Sequence, residues 1–139
     1  PGPTAFRSGA KRPPMGTDLD QLRPAVPRVN SSRGNHPFGN PEPPYRHDEG
    51  WRTGQDSADS MCFQPPNTVR GDVSRSLFYF SIRYEASIDD AQERILRKWD
   101  EEDPVDEIER RRAGVIEEEQ GNSNPFIIDS TIVDRIEDF

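Results

Sequence analysis

Two histidines, His36 and His47, are the only side chains of this 139-residue sequence whose ordinary pKa suits proton transfer near neutral pH. His47 is followed by Asp48 and Glu49, and an imidazole beside two carboxylates is a donor set that could hold a divalent cation. Adjacent residues in a loop point in different directions, however, whereas a metal or catalytic site needs groups that converge. We therefore expect both histidines to face solvent or to bond to backbone, and we keep them as candidate general bases only.

A second concentration of ionisable groups lies between residues 100 and 119. Seven of the ten residues at 100–109 are acidic, and three arginines follow at 110–112. A solvated helix start explains the acidic residues, because the first turn of a helix stabilises negative charge. The arginines could contact phosphate, but three glutamates at 117–119 cancel much of their field. Arg70-Gly71-Asp72 lacks the spaced Gly and Lys of a P-loop, so no nucleotide site is predicted.

Composition divides the chain into two unlike halves. Hydrophobic residues make up 30% and charged residues 32%, with 14 Pro and 10 Gly, so much of the chain must be solvated loop or must lie on something else. Residues 1–66 carry eight Lys or Arg against seven Asp or Glu, whereas residues 67–139 carry ten against nineteen. The net charge of −8 argues against a nucleic-acid-binding protein before any motif is considered.

Several classes of protein are excluded by simple counts. One cysteine, Cys62, permits neither an intrachain disulfide nor a cysteine-built zinc site. The apolar runs are too short for a membrane span. The start, Pro1-Gly2-Pro3-Thr4, has neither an initiator Met nor the apolar segment of a signal peptide, which leads us to expect a chain that begins inside a longer product.

The elements that must position any site are helices in the second half. Twelve of the fourteen prolines lie at or before Pro66, which disfavours long helices there, and only a short strand and helical turn are predicted at 18–34. Apolar spacing predicts helices at 70–84, with an inward stripe, and at about 89–99. Asp103-Pro104 predicts the start of a third helix, ended by Gly121. Ser130 predicts the cap of a last short helix. The inward stripe of the first helix consists of Val73, Leu77, Phe80 and Tyr84, widened by Phe78 and Ile82.

Several short segments occur together in a distinctive order between Gly16 and Asp129. They are Gly16-Thr17-Asp18-Leu19, Leu22-Arg23-Pro24-Ala25, Val29-Asn30-Ser31, Arg33-Gly34-Asn35, Arg70-Gly71-Asp72-Val73 with Arg75, Phe78-Tyr79, Trp99 with Asp103-Pro104-Val105, Glu109-Arg110, Gln120-Gly121-Asn122 and Asn124-Pro125-Phe126-Ile127. In this order the chain resembles the endonuclease I family of non-specific nucleases, which belongs to the His-Me finger (ββα-metal) superfamily.

The resemblance implies an α+β protein, mostly helical in its second half, with a partial ββα-metal fold and long Pro-rich loops. It implies one incomplete domain over residues 1–139, with loops at 1–66 and the helical part at 67–139. In the family a strand histidine activates water and a divalent ion, often Mg²⁺, is held against the scissile phosphate of DNA or RNA. Asn30 matches the metal-holding asparagine, and the candidate phosphate contacts are Arg33, Arg70 and Arg75.

The sequence also departs from the family pattern. The acidic-histidine strand motif that should precede Gly16 is absent, Asp20-Gln21 replaces a histidine or similar group, and Ser123 replaces a basic or aromatic residue. Three hypotheses remain open: part of an active nuclease, inert as this chain; a non-catalytic, nuclease-derived structural or interaction subunit whose protein partners pack on residues 1–66; and a rearranged site that uses His36 or His47. In the second, no metal cofactor is needed.

Overall fold

A computed structural model describes residues 36–139 of the chain, which form an α+β arrangement of one small sheet and four α-helices. The strands are β1 (Arg46–Asp48), β2 (Trp51–Gln55) and β3 (Met61–Gln64), antiparallel and in that order across the sheet. The predicted strand and turn at 18–34, with the candidate residues Asn30 and Arg33, lie outside the described residues.

The sheet lies within the segment that was expected to contain loops, and it was not predicted. Its strands have three to five residues each, and prolines stand beside them rather than within them. Glu49 and Gly50 connect β1 to β2 with φ angles of 52° and 86°, the positive values that a type I′ hairpin turn requires. Phe38 adds a parallel bridge beside Phe63 on the outer side of β3.

The helices are α1 (Arg70–Arg83), α2 (Asp90–Glu102), α3 (Glu107–Gln120) and α4 (Pro125–Ile128). The first two predicted helices are confirmed, α2 extending one turn further than expected. The predicted start of the third is wrong, because Asp106 caps α3 by accepting a hydrogen bond from the Glu109 amide. Gly121 ends α3 in the left-handed region, as predicted. A 3₁₀ turn (Ser130–Arg135) replaces the last predicted helix and is capped by Asp129 rather than by Ser130.

The core joins the sheet to the helices through stacked and edge-on aromatic rings. Phe38 meets Phe63 and Trp99 with centroids 6.3 Å away in both cases, which links β3 to α2. Phe78 of α1 stacks on Phe139 at 4.3 Å and meets Phe126 at 5.8 Å, which closes the other side. Such pairs stabilise a core beyond the area that they bury.

The predicted inward stripe of α1 is only partly correct. Val73 and Phe78 are buried, but Ile82 is 49% exposed, while Arg75 is 0% exposed. Leu77, Phe80 and Tyr84 are partly buried. Because α1 packs against both α2 and α4, its polar residues are enclosed together with its apolar ones. None of the helices in residues 36–139 combines the length and apolar character needed to cross a membrane.

Candidate functional site

Arg75 lies at the centre of a buried ion-pair network that joins three helices. Its Nε and Nη2 donate to the two carboxylate oxygens of Glu109 on α3, at 2.8 and 2.7 Å. Its Nη1 donates to Asp100 of α2 at 2.7 Å, and Asp72 of α1 lies 3.5 Å from Nη2. Two parallel N–H···O bonds to one carboxylate are the strongest geometry available to an arginine.

The network favours the charged form of Arg75, whereas the environment of Asp100 disfavours its charged form. Burial lowers the pKa of Arg75, but the hydrogen bonds and charges of Glu109 and then Asp100 more than offset it and raise the pKa overall. Burial raises the pKa of Asp100, and the Arg75 guanidinium only partly opposes that rise. Arg75 therefore stays charged, and each of its three guanidinium nitrogens donates to a carboxylate.

Two interpretations of the sequence are corrected by this network. Arg75 has no exposed surface and its donors face carboxylates, so it cannot contact a phosphate in this arrangement. The acidic residues at 100–109 are not simply a solvated helix start either, because Glu109 is 1% exposed and Asp100 points inward to Arg75. Only a partner 34 residues away along the chain explains a buried Glu109, which is why local patterns missed it.

The first residue of α1, Arg70, has very different surroundings. Its Nε donates to the Pro65 carbonyl at 2.9 Å, and its guanidinium carbon lies 5.9 Å from the centre of the Trp99 ring. Burial lowers the pKa of Arg70 and the nearby charge of Arg52 lowers it further, while Glu102 and Asp103 act in the opposite direction. Arg70 forms no ion pair with a carboxylate among the described residues.

Gly71 explains how α1 approaches the connection between α2 and α3. A Cβ atom at this position would lie 1.9 Å from the carbonyl oxygen of Asp103 and 2.7 Å from the Arg75 guanidinium. The Gly71 amide donates to the Asp103 carboxylate at 2.9 Å. Asp103 therefore bonds to the start of α1 instead of capping α3, and Gly71 gives the space that this contact needs.

Arg52 and His47 stand on the sheet, directly opposite each other on β2 and β1. The Arg52 guanidinium lies 5.0 Å from the centre of the Tyr45 ring, and its Nη1 is 3.5 Å from the Gln64 side-chain oxygen. The exposed His47 ring meets Tyr45 at 4.8 Å. Sequence reasoning did not single out Arg52, because a strand in this segment was not predicted.

His36 and His47 are not built into a described metal site. His36 is half-buried and lines an open cavity of about 700 Å³ together with residues 42–46, residues 53–56, Asp59 and Met61. Among described side chains, the acidic or imidazole groups that converge are Asp90, Glu93 and Asp138, and neither histidine belongs to this set. The roles of His36 and His47 as bases stay predictions.

The acidic set has a structural explanation. One carboxylate oxygen of Glu93 accepts hydrogen bonds from both the Nε and the Nη2 of Arg97 and from the Phe139 amide. Arg97 in turn donates to the carbonyl oxygens of Val133 and Ile136, so these contacts fasten the last residues to α2. Glu93 thus serves packing, while Asp90 and Asp138 are exposed.

The amides of the last matching motif are also structural. Asn124 is 1% exposed; its oxygen accepts from the Phe126 amide and its nitrogen donates to the Arg75 carbonyl at 3.1 Å. Asn122 donates to the Tyr79 hydroxyl at 2.6 Å. These bonds hold α4 against α1, while the residue between the two asparagines, Ser123, is half-buried.

Comparison with known proteins gives a consistent result. Residues 3–131 match the family described as Endonuclease I. The chain is 37% identical to an extracellular ribonuclease of Bacillus subtilis (strain 168) and 38% identical to one of Bacillus amyloliquefaciens, matching 81% of this chain and 43% of each relative. It is 31% identical to an extracellular deoxyribonuclease of Aeromonas hydrophila, over 81% of this chain and 50% of that protein. The chain thus spans about half the length of these relatives, and it belongs to the endonuclease I family.

Proposed function

We propose that this chain belongs to a metal-dependent nuclease domain that hydrolyses phosphodiester bonds in nucleic acid, and that its 139 residues alone are catalytically inert. The match to the Endonuclease I family over residues 3–131 carries the proposal. Relatives named both ribonuclease and deoxyribonuclease support a nuclease without deciding between RNA and DNA. In this proposal the described helices and sheet form one incomplete domain of ββα-metal type.

The metal site needs more than this chain's identified residues. A divalent ion such as Mg²⁺ prefers oxygen ligands, and the resemblance assigns one of them, the amide oxygen of Asn30. The convergent carboxylates among the described side chains are those of Asp90, Glu93 and Asp138, and Glu93 is already bonded to Arg97 and Phe139. The side chains that the structure describes therefore do not make a complete site for the ion, and in this proposal further ligands are required.

The general base is the second missing part. Neither His36 nor His47 stands in the acidic-histidine motif that the resemblance requires. The side chain of His47 is exposed to solvent, and its ring contacts that of Tyr45. A positioned general base contributes about 10²- to 10⁴-fold to a rate, so its loss together with a metal ligand removes nearly all catalysis. This reasoning supports inertness of the 139 residues on their own.

The test is a nicking assay with supercoiled plasmid and with single-stranded RNA, in the presence of Mg²⁺ or of a chelator. The 139-residue chain is expected to leave both substrates intact. The polypeptide of the full reading frame is expected to cleave one of them, and Asn30→Ala should slow it by at least about 10²-fold. The matched control Asn67→Ala, at an exposed position before α1, should cleave as the parent does.

The outcomes separate the hypotheses. Rapid, chelator-sensitive nicking by the 139 residues would overturn inertness, and its loss in His36→Ala or His47→Ala would identify the base. A full-reading-frame polypeptide that cleaves neither substrate would contradict the nuclease and favour the non-catalytic interaction subunit. The net charge of −9 over residues 67–139 favours that alternative, because it repels phosphate.

A further inference from the structure

We propose that Arg52 of the β1–β2 hairpin and Arg70 at the start of α1 form a binding site for the phosphate backbone of nucleic acid. The inference rests on the proposed function, which supplies a polyanionic ligand, and adds a contact surface to it. Arg52 lies outside every segment that carries the family resemblance. We call Arg52, Arg70, Tyr45 and His47 the arginine face.

The two arginines are anchored to neighbouring points of one strand end. Arg52 is paired with Gln64 in the sheet register, and its Nη1 approaches the Gln64 side-chain oxygen at 3.5 Å. Pro65, the next residue, accepts the hydrogen bond from the Arg70 Nε at 2.9 Å. Gln64 is itself fixed, because it donates to Asn40 at 2.7 Å. The hairpin and α1 therefore hold the two arginines near each other, and the charge of Arg52 contributes to the lowered pKa of Arg70.

Their hydrogen-bonding capacity is largely unused within the described residues. A guanidinium has five N–H donors, and Arg70 commits one of them while Arg52 makes one long contact. Neither forms an ion pair with a carboxylate whose side chain the structure describes, in contrast to Arg75, Arg97 and Arg111. Two neighbouring positive charges whose terminal nitrogens are largely uncommitted in the described part of the chain are complementary to a phosphate, which accepts paired N–H···O bonds from a guanidinium.

Aromatic rings hold both guanidinium groups in place. Arg52 lies over Tyr45 and Arg70 lies over Trp99, with distances of 5.0 and 5.9 Å to the ring centres. Restricting a long side chain before binding reduces the entropy that is lost when the ligand arrives. His47 stands opposite Arg52, so its side chain emerges on the same face of the sheet and adds a ring donor.

Opposing charge sets the expected strength. The negative charges of Glu102 and Asp103 lie near enough to Arg70 to offset part of its positive charge, and the whole chain has a net charge of −8. Two arginines against this background should bind a polymer weakly and with a clear dependence on salt. Inorganic phosphate, which offers one anion rather than a row of them, should compete poorly at equal phosphate concentration.

The experiment measures fluorescence anisotropy of a short labelled single-stranded oligonucleotide with the 139-residue chain, in chelator, between about 50 and 200 mM salt. Arg52→Gln and Arg70→Gln should each weaken binding about tenfold, the effect of one charged hydrogen bond. Each should also lower the salt slope by about 0.7. The control Arg111→Gln removes one exposed positive charge from α3 and should change affinity less than about twofold.

A second measurement uses only the parent chain, so its result does not depend on whether the substituted proteins fold. In the parent chain, the side-chain Nε–H resonances of Arg52 and Arg70 should shift when oligonucleotide is added. That of Arg75, enclosed by Glu109, should not move and serves as the internal reference. Equal losses in Arg52→Gln and Arg111→Gln, unshifted Arg52 and Arg70 resonances, no binding by the parent, or full competition by inorganic phosphate would each overturn the proposal.

The two proposals fail separately. Binding is measured in chelator with the 139 residues, whereas cleavage is measured with Mg²⁺ and the polypeptide of the full reading frame. A cleaving enzyme whose Arg52→Gln variant binds as the parent does would refute the arginine face alone. A chain that binds through Arg52 and Arg70 but never cleaves, even as the full polypeptide, would refute the nuclease alone.

Discussion

Two arginines in the first half of α1, Arg70 and Arg75, have opposite surroundings. Arg75 is enclosed by Glu109, Asp100 and Asp72 and has no exposed surface. Arg70, little more than one turn earlier, bonds to a carbonyl and lies over Trp99 without a carboxylate partner in the described part of the chain. The role of an arginine in this helix is therefore decided by the groups that surround its guanidinium, and its position along the helix says little about that role.

The energetic consequence differs between the two arginines as well. Placing a guanidinium in the interior costs several kcal/mol unless its donors are satisfied, and the paired bonds to Glu109 provide that satisfaction. Arg70 is only half-buried and has no carboxylate partner in the described part of the chain, so less stability depends on its charge. Arg75 should therefore control folding and Arg70 should control binding.

The largest expected effect comes from Arg75→Met, which removes the buried guanidinium. Three carboxylates then lose their counter-charge, and the free energy of unfolding should fall by about 3–5 kcal/mol. Urea denaturation followed by circular dichroism measures it. The control Arg111→Met removes an exposed partner of Glu107 and should change stability by less than about 0.5 kcal/mol. A loss for Arg75→Met no larger than that of the control would refute the structural role of the network.

An intermediate effect is expected at Gly71, between the two arginines. Gly71→Ala places a methyl group against the Asp103 carbonyl and should lower the free energy of unfolding by about 1–3 kcal/mol. Gly114→Ala, in α3 with nothing near its Cβ position, should instead raise it by about 0.5–1 kcal/mol, since alanine favours helix. The same denaturation curves measure both, and a Gly71→Ala variant at least as stable as the parent would show that the close approach of α1 to Asp103 is not a constraint.

The smallest expected effect is a change in how the free energy of unfolding depends on pH, and it comes from Asp100, a partly buried partner of Arg75. Asp100 faces Arg75, Glu109 and Asp134, and burial raises its pKa, so the native chain keeps this proton where the unfolded chain has lost it. Its contribution to stability is present below the ordinary aspartate pKa of about 4 and is lost as pH rises through the folded value. In Asp100→Asn, stability should therefore decline less from about pH 4 to neutrality than in the parent.

Asp129 is the matched control for this pH dependence. Hydrogen bonds from Thr131 lower the pKa of Asp129, so its contribution is present above the ordinary value and lost as pH falls. Asp129→Asn should change the pH dependence of unfolding in the opposite direction. Denaturation midpoints across the acidic range measure both variants, and parallel profiles for Asp100→Asn and the parent would contradict the assigned cause.

Much of the helical half was predictable because its signals are local. The spacing of Val73, Leu77 and Phe80 that predicted α1, and the left-handed stop at Gly121, depend on residues within a turn or two of each other. The sheet was missed because strands as short as β1 provide too few residues for an alternating pattern. The start of α3 was misplaced because Asp103, a good cap by type, bonds instead to Gly71, 32 residues away.

Some residues of the candidate site were also predictable from the sequence, and others were not. The sequence indicated the endonuclease I family and named Arg70, Arg75 and Asn30, since the family motifs are short and ordered along the chain. It could not separate Arg70 from Arg75 or find Arg52, because those assignments depend on Glu109, Gln64 and the rings of Tyr45 and Trp99.

The sequence by itself determined the positions of the first two helices and the end of α3, because propensity, capping and apolar period act over a few neighbouring residues. Its ordered motifs indicated the family and, through that resemblance, the α+β class. Only the tertiary structure decided which arginine is enclosed and which is available. Burial and charge pairing depend on residues that folding brings together across 34 positions of chain, as in the pair of Arg75 and Glu109.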